Sequence, residues 1–267
     1  MRLPAPTLTP DSARYLTVHT PPRPFHLRIL IPWACGQSAL RWYLATWLGV
    51  LGLAVGTALL APGWHGVAAA LLVLTLPSVR FALTHVVLVD MAALGLACMS
   101  AALVINGYLI PALILALLAG AAKETAPLFA AVFAWNPLLL VGLIVPIIVA
   151  LVRRSGQDVL HDHEHEWILA HPIKASRKYH HRLLIDAMPV LVTPWGAAVL
   201  ALGMPSVQLA LALALGYGQL LVATDTVRLY QWAAPVVCLS ATAAVDPRWW
   251  PVLIVVTLFN PMRGDGV

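Results

Sequence analysis

Charged residues are almost absent from a long central stretch of the chain, and this feature constrains the fold most. Residues 42–152 hold only four of them: Arg80, Asp90, Lys123 and Glu124. Over the whole chain 10% of the residues are charged, whereas a soluble domain carries about 25%. The surface of such a chain must face lipid, and the sequence therefore predicts an integral membrane protein, which we assign to the cell (inner) membrane.

The apolar runs differ in length. A transmembrane helix needs about 20 apolar residues, and the run 42–61 meets this requirement. The other runs are 66–76, 91–105, 109–122, 127–152 with a break at Asn136–Pro137, 187–203, 207–224, 229–245 and 252–258. Several are too short to cross upright, which indicates half-helices buried among neighbours. We expect an all-α fold, a polytopic transmembrane helical bundle of about eight to ten membrane segments with short, broken or re-entrant helices.

The chain divides into four parts by composition. Residues 1–41 form a polar N-terminal loop with an amphipathic segment, 42–152 a transmembrane region, 153–186 a polar His/Lys/Arg-rich loop and 187–267 a second transmembrane region. Arg153 and Arg154 favour a cytoplasmic position for the polar loop. The number of crossings stays open at this point, because two full spans after this loop would place Asp225 and Arg228 in the cytoplasm as well.

The net charge of +5 does not indicate a nucleic-acid partner. A nucleic-acid surface needs basic residues clustered on a soluble face, whereas here they flank apolar runs. This arrangement is typical of contact with lipid headgroups.

Ionisable residues inside a bilayer cost roughly 2.5–3.5 kcal/mol each on insertion scales, so each needs a partner or a use. Lys123–Glu124 is either a pair at a helix end in the membrane interface or a cation that faces an anionic headgroup beside a carboxylate. Asp90 either caps the following helix or serves the same site. Asp225 and Arg228 either pair on one helical face, or Arg228 offers its guanidinium to a phosphate.

The N-terminal segment carries a further pattern. Asp11 and Tyr15 are followed by a proline-rich stretch and then by Arg28, within an apolar run that ends at Pro32. A disordered leader explains the prolines. It does not explain Arg28 just before the first clear span.

These motifs resemble the GT-C type polyprenyl-phosphate-sugar-dependent glycosyltransferases. The members of that superfamily carry an acidic residue and a tyrosine in the first extracytoplasmic loop, and some branches add an R-x-L-x-P stretch. Later matches follow in the same order along residues 11–245: Asp90, the Lys-Glu-Thr that ends 120–125, Arg228, Tyr230 and Pro235.

The resemblance implies a membrane enzyme that moves a sugar from a polyprenyl-phosphate donor to an acceptor. Asp11 would act as the general base or help to hold a divalent metal ion. Cations would bind the donor phosphate: Arg28, Lys123 and Arg228. Supporting residues would be Tyr15, Asp90, Glu124, Asp225 and Tyr230. The chain would be a minimal member, a member that depends on a membrane protein partner, or a degenerate relative.

The histidine-rich loop supports a different hypothesis. His161, His163 and His165 alternate with acidic residues, a ligand set that suits zinc, although no HExxH motif is present. A solvated polar loop is the simpler interpretation. A metal-ion or small-solute transporter and a non-catalytic membrane scaffold are therefore alternative functions.

Overall fold

The computed structural model describes Tyr15 and residues 27–154, 167–168, 170–179, 192–221 and 231–261. Every regular element in these residues is helical, which confirms the predicted all-α class. The described α-helices are, in chain order, α1 Leu30–Cys35, α2 Ala39–Leu59, α3 Gly63–Leu74, α4 Pro77–Thr84, α5 Asp90–Ile105, α6 Leu109–Ala122, α7 Ala126–Ala134, α8 Ile144–Arg154, α9 Pro172–Tyr179, α10 Val207–Gly218, α11 Ala234–Ala243 and α12 Trp250–Leu258.

Short 3-10 helices connect or extend several of these helices. Pro137–Leu143 leads into α8, Gln219–Leu221 extends α10, Gln231–Ala233 leads into α11 and Pro247–Trp249 into α12. The longest, Thr193–Gly203, is kinked at Gly196. The predicted break at Asn136–Pro137 is confirmed, since α7 ends there and a 3-10 helix begins.

Helix length separates α2 from the other described helices. With 21 residues, α2 extends over about 31 Å, enough to cross a hydrocarbon core. Among the described helices, α2 is the single helix that is long and apolar enough to cross a membrane. Helices α3 and α4 together are also long and apolar enough, but they are bent by 56° relative to each other. Shorter apolar helices such as α5 and α6 have 16 and 14 residues. The total of eight to ten membrane segments remains a prediction.

Glycines bring α2 and α5 into direct backbone contact. A Cβ added to Gly49 or Gly95 would collide with the backbone of the facing helix, and one added to Gly56 would lie 2.8 Å from the backbone of Cys98. Gly52 and Gly56 form a GxxxG spacing, which is typical of close helix packing. The tightest approach is nevertheless at Gly49 and Gly95, and no other residue type fits there without moving a helix.

The helices α5 and α6 form an antiparallel hairpin. Gly107 closes the turn with a φ of 85°, a conformation that favours glycine. Ser100 Oγ donates to the carbonyl of Ala112 at 2.7 Å, and Asn106 Nδ2 donates to the carbonyl of Leu59 at the end of α2 at 3.2 Å. The hairpin therefore places the first turn of α5 beside the last turn of α6.

Large apolar side chains remain exposed along one face of α2. They recur every three or four residues: Leu40, Leu44, Leu48, Leu51, Val55 and Leu59. Exposed aromatic residues stand at or directly before the starts of α3, α6 and α12, namely Trp64, Tyr108 and Trp249. The outside of the bundle is thus apolar along α2, with aromatic rings near helix ends.

Candidate functional site

The turn between α6 and α7 places Lys123 and Glu124. Pro127 is the second residue of α7, and its ring would clash with the carbonyl of the residue four positions earlier if the helix were continuous. That residue is Lys123, which is extended instead, with φ −155° and ψ 132°. The break lets two successive side chains reach different partners.

Lys123 pairs with Asp90 inside the protein. Lys123 Nζ donates to Asp90 Oδ1 at 2.6 Å, and both side chains are buried. The hairpin explains the pairing, because it sets the N-terminus of α5, which favours an anion, beside the C-terminus of α6, which favours a cation. Lys123 therefore pairs with Asp90 across the hairpin, and its position relative to the membrane interface remains a prediction.

Asp90 does not cap its helix. It is the first residue of α5, and Val89 occupies the N-cap position without a side-chain hydrogen bond. Asp90 Oδ1 accepts the hydrogen bond from the Lys123 ammonium. The N-cap interpretation is wrong because Val89, and not Asp90, occupies the N-cap position.

Arg28 joins the N-terminal segment to the same turn. Its Nε and Nη2 donate to the two carboxylate oxygens of Glu124 at 3.1 and 2.9 Å, and its Nη1 donates to the hydroxyl of Tyr15 at 2.8 Å. The amide of Ile29 donates to the carbonyl of Ala121 at 3.0 Å, one of the carbonyls that a helix end leaves without an internal partner. Glu124 thus holds Arg28, and Asp90 is the carboxylate that steadies Lys123.

Trp232 forms one wall of the cluster, and sequence reasoning missed it. Lys123 Nζ lies 4.5 Å from the centroid of the Trp232 ring, within the range of a cation–π contact. The preceding Gln231 accepts a hydrogen bond from the amide of Ser78 at 2.9 Å and donates one to the carbonyl of Pro194 at 2.8 Å. No motif marked this tryptophan, because its role depends on an approach between segments more than 100 residues apart.

The structure brings together five of the residues proposed for the site. They are Tyr15, Arg28, Asp90, Lys123 and Glu124. The other four, Asp11, Asp225, Arg228 and Tyr230, lie outside the described residues. Within the described part of the chain the cluster combines two cations with two carboxylates, so these charges sum to zero.

The packing of α5 on α2 shows where the cluster lies along the length of α2. Gly49 is the eleventh of the 21 residues of α2 and packs on Met91, the second residue of α5. Asp90, at the start of α5, therefore lies level with the middle of α2. Along the helix axis, the start of α5 is thus about 15 Å from either end of α2.

An apolar cavity of about 400 Å³ has Leu30, two residues after Arg28 in sequence, in its wall. Helices α1, α2, α5 and α6 line it, it is open to the exterior, and all its lining residues are aliphatic residues, methionine or glycine. They include Leu30, Ile31, Leu48, Gly52, Leu96 and Leu115. Its chemistry suits a hydrocarbon chain.

The metal hypothesis rests on residues that the structure does not cover. His161, His163 and His165 lie outside the described residues, while His171 is exposed and its ring stacks near Trp167 at 5.5 Å. Among the described residues, no group of three His, Cys, Asp or Glu side chains could hold a metal ion. The role of the histidine-rich loop remains a prediction.

The site so described joins an N-terminal segment, a helix hairpin and a tryptophan from a distant 3-10 helix. Its two ion pairs share the Lys123–Glu124 dipeptide and so form one polar centre in an apolar bundle. No protein-family model, curated protein or solved structure matches the chain.

Proposed function

We propose that the chain is an integral membrane glycosyltransferase of the GT-C type, which moves a sugar from a polyprenyl-phosphate donor to an acceptor at the membrane surface. One observation carries the proposal. Residues selected for this chemistry between positions 15 and 124 meet in one cluster, through direct contacts of 2.6–3.1 Å.

The apolar exterior supports a position in the membrane. In water, a stripe of exposed leucines and valines such as that on α2 would be an aggregation-prone patch. In a bilayer it is the lipid-facing surface, and exposed aromatic rings at helix ends are typical of the membrane interface. The cell (inner) membrane is the proposed location.

The proposed roles follow the charge that develops during transfer. As the sugar leaves, negative charge grows on the lipid phosphate, and cations held in place beforehand stabilise it. Arg28, Lys123 and Arg228 would serve as these cations, and Asp11 would take the proton of the acceptor hydroxyl. A divalent metal ion held by Asp11 is the alternative, and no step of the transfer is assigned to it.

The carboxylates Asp90 and Glu124 would orient the cations. An ammonium has three N–H donors, and Asp90 accepts one of them from Lys123. The pairing therefore keeps the charge in a buried position and leaves donors for a ligand. Tyr15 would orient Arg28 in the same way, while Asp225 and Tyr230 would support Arg228.

The apolar cavity supports a lipid-linked substrate. It begins two residues after Arg28, with Leu30 in its wall. A polyprenyl chain could lie in it while the attached phosphate stays near the polar centre.

Turnover of a lipid-linked sugar by the purified protein tests this function. Lys123→Ala should slow turnover per folded molecule by roughly 10- to 150-fold, because a charge-assisted contact is lost. Lys123→Arg should retain part of the activity, since a phosphate accepts either cation. Lys174→Ala, at an exposed position on α9, is the matched control and should be unchanged.

Two results would contradict the proposal. One is the absence of transfer from any polyprenyl-phosphate sugar by the folded wild-type protein. The other is unchanged turnover in Lys123→Ala.

Full activity after replacement of His161, His163 and His165 by Ala is expected, whereas a loss that zinc restores would favour the metal-ion transporter.

A non-catalytic scaffold is the second candidate, and the complete ion pairing favours it. Both described cations in the cluster already have a carboxylate partner, which is all that a helix-orienting role requires. If the chain is a scaffold, Lys123→Ala should lower stability or expression. Neither the wild type nor this variant should then transfer a sugar.

A further inference from the structure

Two buried polar atoms in the segments around Lys123 have no hydrogen-bond partner among the described residues. They are the hydroxyl oxygen of Thr125 and the indole nitrogen of Trp232. Buried polar atoms in proteins almost always have a partner, and an exception needs an explanation. Thr125 follows the proposed phosphate-binding lysine by two residues in sequence, and the ring centroid of Trp232 lies 4.5 Å from the ammonium of that lysine.

Thr125 occupies a position where its hydroxyl would normally serve the fold. It is the N-cap residue of α7, and threonine at this position usually accepts a hydrogen bond from an amide of the first turn. Here its backbone is helical, with φ −86° and ψ −16°, and the side chain makes no capping bond. The amide of Leu128 donates to the main-chain oxygen of Thr125 instead, at 3.1 Å, which leaves the hydroxyl unused by the helix.

Trp232 is held rigidly with its N–H unused. The residue is fully buried, its ring packs at 5.3 Å from that of Phe129, and Gln231 fastens the adjoining backbone to two other segments. An indole N–H can only donate. The missing partner must therefore be an acceptor, and a tightly packed ring cannot turn to find one elsewhere.

We propose that Thr125 and Trp232 are further binding residues of the site and donate hydrogen bonds to oxygen atoms of the lipid-linked phosphate beside Lys123. This inference rests on the proposed function. A phosphate suits the three groups because its oxygens accept hydrogen bonds from an ammonium, a hydroxyl and an indole N–H at once. A sugar hydroxyl would gain less from the cation.

Binding measurements on the purified full chain in detergent test the inference. The probes are farnesyl phosphate, farnesol and inorganic phosphate. Trp232→Phe removes the N–H and keeps an aromatic ring, and Thr125→Val removes the hydroxyl at nearly equal volume. Each variant should bind farnesyl phosphate about 10- to 150-fold more weakly, the effect of one lost hydrogen bond to a charged group, and should bind farnesol as the wild type does.

A matched control separates binding from folding. Trp250 donates its indole N–H to the carbonyl of Thr242 at 2.9 Å, so Trp250→Phe should lower the melting temperature and leave binding unchanged. Trp232→Phe should not lower the melting temperature through a lost hydrogen bond, because its N–H bonds to none of the described residues. If Trp232→Phe does not fold, Thr125→Val decides alone.

The results of these measurements separate a failure of this inference from a failure of the proposed function. If the wild type prefers farnesyl phosphate over farnesol and both variants keep that preference in full, the two residues are not ligands and the proposed function stands. If inorganic phosphate displaces farnesyl phosphate at equal concentration, the site takes free phosphate and the lipid part is overturned. If the wild type shows no preference for the phosphate, the proposed function and the inference are both wrong.

Discussion

At the scale of single residues, the pairing of charges decides how the polar centre is built. Lys123 and Glu124 are neighbours in sequence, yet each binds a residue of opposite charge from another segment. Removing one member of a buried pair leaves the other charged and unsolvated, which costs about 3–5 kcal/mol. Removing both costs far less.

This difference gives a prediction for the Asp90–Lys123 pair. Lys123→Met should lower the free energy of unfolding by about 3–5 kcal/mol, since Asp90 loses the ammonium that neutralises it. The double variant with Asp90→Asn should recover most of that loss. Thermal unfolding of the single and double variants in one detergent measures the coupling, and strictly additive effects would show that the pair contributes nothing as a pair.

A second prediction concerns the two-point contact of Arg28 with Glu124. Arg28→Lys keeps the charge but cannot form the paired hydrogen bonds of a guanidinium. We expect the amide of Ile29, which bonds to Ala121, to exchange its hydrogen about 5- to 50-fold faster, an effect of roughly 1–2.3 kcal/mol.

The amide of Ala93 inside α5 provides the internal control, since it bonds to Val89 within the same helix turn. Its exchange should not change in the Arg28→Lys variant. Equal acceleration at both amides would mean that the whole protein is destabilised and that Arg28 has no local role.

At the scale of helices, small residues set the distances that the polar centre needs. Gly95 and Gly49 allow α5 to lie against α2 with backbone contact. Gly95→Ala should therefore destabilise the protein by about 1–3 kcal/mol, the usual cost of overpacking. Gly203→Ala is the control, because an added Cβ there meets only Ala244 at an ordinary 3.8 Å. Melting temperatures compare the two, and an unchanged value for Gly95→Ala would contradict the packing argument.

Helices were predicted well where glycine and proline mark the ends of a long apolar run, and poorly where the helix is short. The run 109–122 matches α6 at both ends, because Gly107 precedes it and Pro127 prevents its continuation. By contrast, α4 was not predicted, since it is short and Arg80 interrupts its apolar pattern. The segment of α1 was assigned to a loop because this helix is short as well.

The candidate site was predictable in its residue types but not in its contacts. A charge in an apolar chain is conspicuous, so Arg28, Asp90 and Lys123 could be selected from sequence alone. Their partners follow from the α5–α6 hairpin and from the docking of the N-terminal segment, neither of which a local pattern encodes. Trp232 carries no charge, and therefore nothing singled it out among ten tryptophans.

At the scale of the whole molecule, the apolar exterior predicts how the protein behaves in cells. We expect the chain to stay with the membrane pellet after extraction at alkaline pH, because the exposed face of α2 needs lipid around it. A soluble protein of the same size serves as the control for incomplete washing. Recovery of the folded chain in the supernatant would contradict the membrane assignment.

The contact between Arg28 and Glu124 also bears on the order of events during synthesis. These residues are 96 positions apart, and a ribosome adds about 5–20 residues per second. Arg28 is therefore made about 5–20 seconds before the carboxylate that holds it. Asp90 also cannot form its ion pair until the Lys123–Glu124 dipeptide has been made, because its partner is Lys123. We expect both ion pairs to form together once this turn has been made, so that the segment of Arg28 docks well after its own synthesis.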